Sequence, residues 1–305
     1  MALVGIPVIL LLTMAGGFFF FFFVAIVSTL ALREFYLLAA AKGASPQSGT
    51  GMVFGILLCA DFMFVRWRDL LLTWFQGAGV HPPAPTMAQG FLILFLLFVP
   101  IALGIELFRN RGSALLNLGV TFLGVLYVSF FFGTLIGIRE LFIPEDFPVY
   151  LHFPVAGVDV PAESVATIYR WGGYTVLVIL ASIWSCDSAA YFGGRAFGKR
   201  KLFERVSPKK TWVGAIAGFL FAILAFAVGR ELALPYLTPG QAIVCGAIVG
   251  IFGQGGDLVE SLMKRDAGVK DSSALIPGHG GILDRFDSLM YVSPILFLYL
   301  DFVVF

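Results

Sequence analysis

The sequence predicts an all-α protein, a polytopic transmembrane helical bundle of eight or nine spans with a polar cleft facing the cytoplasm. Three observations carry this. Hydrophobic residues make up 59% of the 305 and charged ones 13%, against about 25% charged in soluble domains. The apolar residues fall in long runs that reach the roughly 20 residues a span requires. Charge is also concentrated: of twenty Lys and Arg, seven lie in 195–210 and four in 264–285. A mean hydropathy of +0.93 excludes a soluble globular domain with a large core. The net charge of +1 predicts no partner from overall charge, nucleic acid included.

Residues 3–31 are apolar throughout, with six consecutive Phe at 18–23 and Gly16-Gly17 as an interruption. They form one long helix, or a short helix, a Gly-Gly turn and a second helix. No basic residue precedes Arg33, so the stretch does not read as a cleaved signal peptide. The Phe run reads as lipid-facing or packing surface. A polar Ser/Gly/Pro/Gln segment around 43–51 leads to an apolar stretch at 52–75 that contains Asp61, Arg66, Arg68 and Asp69. Asp61 either faces a polar interior or pairs with a nearby Arg. Residues 81–85 (HPPAP) make a stiff turn. Further spans are read at 89–107, 115–137, 172–192, 212–229, 239–256 and 288–304. The organisation expected is N-terminal membrane helices over 1–137, an acidic connection outside the cytoplasm over 138–170, and a C-terminal catalytic region over 171–305. Cys59, Cys186 and Cys245 sit in apolar runs without metal-ligand spacing and read as small buried hydrophobes.

Arg109 with Arg111, the 195–210 stretch and the 264–285 stretch are successively two spans apart. They therefore share one face, which their Lys/Arg content makes cytoplasmic.

The chemistry collects on that face. Residues 261–287 (SLMKRDAGVKDSSALIPGHGGILDRFD) place Lys264, Arg265, Lys270 and Arg285 beside Asp266, Asp271, Asp284 and Asp287, with glycines around His279. Carboxylates hold divalent cations, cations neutralise phosphate oxygens, and glycines let backbone N–H groups approach a bulky anion. Residues 187–211 begin with Asp187 inside a span and run through a Lys/Arg cluster to Ser207-Pro208-Lys209-Lys210-Thr211. Hydroxyls and paired lysines suit a phosphate, whereas Lys199–Lys201 also fits simple orientation in an anionic membrane. At the end of the 239–256 span, Asp257 and Glu260 share a helical face at i, i+3, as do Asp284 and Asp287 at the start of the last span. Two helix ends offering paired carboxylates make an oxygen-rich magnesium site, or a set of ion pairs with Lys264, Arg265 and Arg285.

The string S-x-M-K-R-x4-K-D-x-S-x2-I-P-x-H-G-G-I-x-D-R-F-D over 261–287, together with SPKKTW at 207–212, resembles the signatures of the phosphatidate cytidylyltransferases (CDP-diacylglycerol synthases). These are integral membrane enzymes that join CTP to phosphatidic acid. The resemblance covers roughly 185–287. It implies Asp257 and Asp284 as principal metal ligands with Asp287 and Asp187 close by, and Lys264, Arg265 and Lys270 as catalytic phosphate contacts. It implies Ser207, Lys209, Lys210, Thr211, Asp187, His279, Gly280, Gly281 and Arg285 as substrate-binding residues. Val213 stands where relatives usually carry Glu, so no role of that acid carries over. His279 could donate to a phosphate or only hold its loop, since the attacking phosphate oxygen is already anionic and needs no base. The cofactor implied is Mg2+, as two metal ions or as Mg2+ with a monovalent cation. The partners implied are CTP, phosphatidic acid and the lipid bilayer, in a homodimer; the simplicity of the chain points to a bacterial inner membrane. Rival readings are a CTP-dependent lipid-alcohol kinase and, from another class, a transporter, which would place its ionisable residues near the midplane of inverted repeats.

Overall fold

The computed structural model describes residues 2–77, 86–143, 162–273, 275 and 280–305. The described residues are almost entirely helical: α1 (Ala2–Ala15), α2 (Gly17–Ala40), α3 (Ser48–Asp61), α4 (Phe64–Gly77), α5 (Met87–Arg109), α6 (Ala114–Gly124), α7 (Phe131–Glu140), α8 (Ala162–Phe197), α9 (Trp212–Ala233), α10 (Pro239–Asp266) and α11 (Leu283–Tyr299). A widened turn over Val125–Phe130 joins α6 and α7 into one helix of 27 residues. They fall into two compact units, Gly17–Gly137 and Met1–Gly16 with Ile138–Phe305. A helix is the only open-ended element whose backbone polar groups are satisfied within itself, which is what hydrocarbon demands. Its ends reach the interface, where side chains complete them. Thr86 and Thr238 each accept from the backbone N–H three residues on and are answered by Gln89 and Gln241. Ser113 and Thr211 cap α6 and α9.

Seven helices are long and apolar enough to cross a membrane, and an eighth crossing exists if α3 and α4, bent by 86° at their junction, count as one broken span. The expectation of eight or nine is therefore met at its lower number at most among the described residues. The candidate ninth, α1, has 14 residues, about 21 Å of helix against the roughly 30 Å of hydrocarbon. The N-terminal stretch does split, and at Gly16-Gly17. Both adopt positive φ (63° and 53°), a conformation open to glycine without penalty. A Cβ at Gly16 would also collide with the side chains of Arg139 and Tyr169. Arg139 falls at the start of the stretch read from sequence as an acidic connection, yet it is completely buried. Its guanidinium donates to the carbonyls of Thr13 (2.8 Å), Met14 (3.2 Å) and Tyr169 (3.2 Å) and lies over the Tyr169 ring. It satisfies the orphan carbonyls at the end of α1, a demand invisible in a linear reading. The helices also reach further into 138–170 than expected, to Glu140 and from Ala162, while the rest of that connection from 144, and His81, lie outside the described residues.

In the unit 17–137, the Phe run divides: Phe20 and Phe21 are buried at 1% and 4%, Phe19 and Phe22 are exposed at 71% and 57%. The run thus serves both packing and lipid. Tyr36 donates to the Thr121 carbonyl at 2.9 Å, and Gln47, Glu106, Arg109 and Asn117 form a buried polar network. All three cysteines are buried and unpaired.

In the other unit, α8, α9, α10 and α11 pack in sequence order. Small residues mark the contacts, as expected where no hydrophobic drive brings helices together in lipid. A Cβ on Gly214 would stand 2.6 Å from the Ala190 carbonyl, one on Gly250 would meet Phe219 backbone at 2.9 Å, and one on Gly256 would stand 2.6 Å from the Asp287 carbonyl. Between α8 and α9 the basic segment folds as an antiparallel hairpin, β1 (Lys201–Phe203) with β2 (Ser207–Thr211).

Candidate active site

The ends of three helices and the hairpin enclose a cavity of about 420 Å³, inside the range of roughly 300–1,000 Å³ typical of small-molecule sites. Helix α8 supplies Asp187, Tyr191, Gly194 and Arg195, spaced so that one face meets the cavity, and Arg195 donates to the Tyr191 hydroxyl at 3.3 Å. The hairpin supplies Leu202, Lys209, Lys210 and Thr211, and α10 supplies Gln254 and Asp257. Gln254 donates to the carbonyls of Ala215 (3.1 Å) and Gly250 (2.7 Å), which ties α10 to the start of α9.

Two acidic groups emerge. In the first, the Lys210 ammonium lies 2.6 Å from Asp257 Oδ2, while Asp257 Oδ1 accepts from the Ser261 hydroxyl at 3.2 Å. Asp187 and Asp287 are near enough for their charges to act on Asp257, on each other and on Lys210. Asp287 Oδ1 also accepts from the Ser288 backbone N–H at 2.6 Å. Three carboxylates within electrostatic reach of one ammonium leave a formal excess of negative charge in that group, although Arg195 and Lys209 bring further positive charge to the cavity lining. The Gly256–Asp287 backbone contact sets how closely α10 and α11 carry these acids. A Gly256→Val substitution should force the helices apart and lower catalytic activity by about 10²-fold, the scale of a 1 Å misplacement; initial rates of the folded variant measure it.

The second group ties the polar loop to α11. The Lys264 ammonium is 2.6 Å from Glu260 Oε2 and 2.6 Å from Asp284 Oδ1. Asp284 Oδ2 accepts from the Ser272 N–H (2.9 Å), the Ser272 hydroxyl (2.9 Å) and the Gly281 N–H (2.7 Å). Gly280, at φ +80°, is needed twice over, because a Cβ there would stand 2.8 Å from Asp284 Oδ2. Glu260 is fully buried and its Oε1 makes no hydrogen bond.

The sequence-predicted residues thus separate. Asp187, Asp257, Asp287, Lys209, Lys210 and Thr211 come together at or beside the cavity. Thr211 spends its hydroxyl on the Gly214 N–H as a helix cap, at 3.2 Å. Asp284, Lys264 and Gly281 form the loop clamp. Ser207 begins β2, and Arg265, Lys270 and Arg285 are exposed around the loop. His279 lies outside the described residues. Sequence reasoning assigned no role to Ser272, Gln254 or Tyr191, and took Arg195 only as part of a glycine-rich basic run able to meet anionic head groups or a triphosphate. Ser272 adjoins a motif position, but nothing linear says that it closes on Asp284.

Among the described residues, no three His, Cys, Asp or Glu side chains stand together as a ready-made metal site. The donor chemistry of the first group nevertheless fits a hard divalent cation: all-oxygen carboxylate ligands with negative charge in excess. In the second group, Asp284 already has both oxygens engaged.

A model of the cytidylyltransferase family matches residues 1–303. The chain is 33% identical over 279 residues to a phosphatidate cytidylyltransferase of Synechocystis sp., covering 90% of this chain and 86% of the relative. It is 48% identical over 259 residues to that of Brucella suis, covering 82% and 84%. It is 46% identical over 140 residues to that of Bacillus subtilis, covering 45% and 51%. With a family match over nearly the full length, and with membrane helices that converge on a basic and acidic cavity, this integral membrane protein belongs to the cytidylyltransferase family.

Proposed function

We propose that the protein transfers the cytidylyl group of CTP to phosphatidic acid, releasing pyrophosphate and leaving CDP-diacylglycerol in the bilayer. The observation that carries this is the cavity that joins the Lys209–Lys210 strand to Asp187 of α8 and Asp257 of α10, with Asp287 of α11 beside them. A phosphatidate oxygen attacks the α-phosphorus of CTP; the new P–O bond forms as the bond to the β-phosphate oxygen breaks. No proton transfer to a base and no covalent enzyme intermediate are required. The barrier is the approach of two polyanions. Lys209, Lys210 and Arg195 line the cavity and supply positive charge to phosphate oxygens. Lys270, Arg265 and Arg285, exposed around the clamped loop, add charge at its margin. Asp257, Asp287 and Asp187 would hold Mg2+, which when bound neutralises charge on the triphosphate and the leaving pyrophosphate. The second group contributes order: with Asp284 fixing Ser272 and Gly281, the loop is held on the last turns of α10.

The cavity opens at helix ends that carry the chain's Lys/Arg excess, which supports a cytoplasmic active site in a bacterial inner membrane. A homodimer, implied by the family resemblance, is read by crosslinking in native membranes. The test of the reaction is transfer of label. Purified protein in detergent, given phosphatidic acid, Mg2+ and CTP, should move label from the α-phosphate into lipid and none from the γ-phosphate. Label arriving from the γ-phosphate alone would make the protein a lipid kinase and end this reading.

A further inference from the structure

We propose that Lys210 is an internal counter-ion that competes with the divalent cation for Asp257, so that metal entry releases it toward substrate phosphate. The inference rests on the reading of Asp257 as a metal ligand. The Lys210 ammonium is in direct contact with Asp257 Oδ2 at 2.6 Å, and Ser261 engages the other oxygen. A metal ion taking Oδ2 and an ammonium at that distance would repel each other strongly, because the site is only partly open to water. Lys210 is also the ammonium that acts on both Asp187 and Asp287. The same side chain lines the cavity beside Lys209, on a short strand that ends at the Thr211 cap of α9. Its stem is therefore anchored while its four-carbon arm can turn from the acids into the cavity. One displacement then does two things: it opens Asp257 to the cation, and it delivers a positive charge to the triphosphate. By linkage, cation and nucleotide must strengthen each other's binding.

The experiment measures Mn2+ binding by electron paramagnetic resonance on the full-length protein in detergent, without CTP. Lys210→Gln should bind Mn2+ about tenfold more tightly than the unsubstituted protein, as expected when a positive charge leaves the ligand. Lys210→Arg, which keeps the charge, should not. Equal affinity of the Gln variant and the unsubstituted protein would overturn the inference while leaving the metal site standing. Mn2+ that binds none of the proteins, Asp257→Asn included, would overturn the metal reading and this inference with it. A second measurement needs no variant. Amine-directed labelling of Lys210, quantified by peptide mass spectrometry, should rise when Mn2+ is added. Unchanged or reduced labelling refutes displacement even if Lys210→Gln fails to fold.

Discussion

Replacing Asp257 with asparagine is expected to lower cytidylyl transfer by about 10³-fold or more, the scale of losing a principal group that stabilises transition-state charge. The substitution keeps the shape of the side chain and its hydrogen bond from Ser261, so the variant should elute and melt like the unsubstituted protein. Lys210 would lose its ionic partner at 2.6 Å, but its side chain is 26% exposed and can turn to water. The loss should therefore appear in kcat rather than in folding. Full activity in a folded Asp257→Asn protein would remove the carboxylate from the mechanism and leave the basic hairpin to explain catalysis alone.

The largest effect on stability is expected from Lys264→Met. Lys264 joins Glu260, whose side chain is 1% exposed, to Asp284, at 8%. Removing the ammonium leaves two nearly buried carboxylates facing each other without a counter-charge. Deleting one partner of a buried ion pair costs about 3–5 kcal/mol, read as a lower midpoint in thermal unfolding in detergent. Adding Glu260→Gln to the same chain removes one of the stranded charges and should recover a large part of the loss. If Lys264 served only as a substrate contact, Lys264→Met would leave the melting midpoint unchanged and the second substitution would recover nothing.

These predictions separate what was legible in the sequence from what was not. The helices were legible because hydrocarbon leaves little choice: an apolar run of span length becomes a helix. The active-site neighbourhood was legible because Asp187, Lys209, Lys210 and Asp257 stand in motifs flanking spans, and span ends on one face are brought together by packing. Pairings were legible only in part: Lys264 was named as a partner for the paired acids of α10 and α11 and does bind Glu260 and Asp284, but Lys210 was not. Asp257 and Glu260 sit three residues apart on one helix, yet one meets the hairpin lysine and the other Lys264. That choice depends on which neighbour each turn of α10 faces, a property of helix rotation and not of spacing. The hairpin was equally hidden, since its strands of three and five residues are too short for an alternating pattern to register. The burial of Arg139 was hidden for a related reason: two of the backbone carbonyls it serves are more than a hundred residues away.

The near-contact of Gly256 with the Asp287 carbonyl has a consequence for life in a fluid solvent. Where two helices meet through bulky side chains, rotamer changes let the gap between them breathe with bilayer thickness and tension. Here main chain rests against main chain, so the spacing of the carboxylates on either side answers to covalent geometry and hardly to the surrounding lipid. An enzyme that supplies precursors for its own membrane would thereby keep a constant catalytic geometry while its output alters the medium around it.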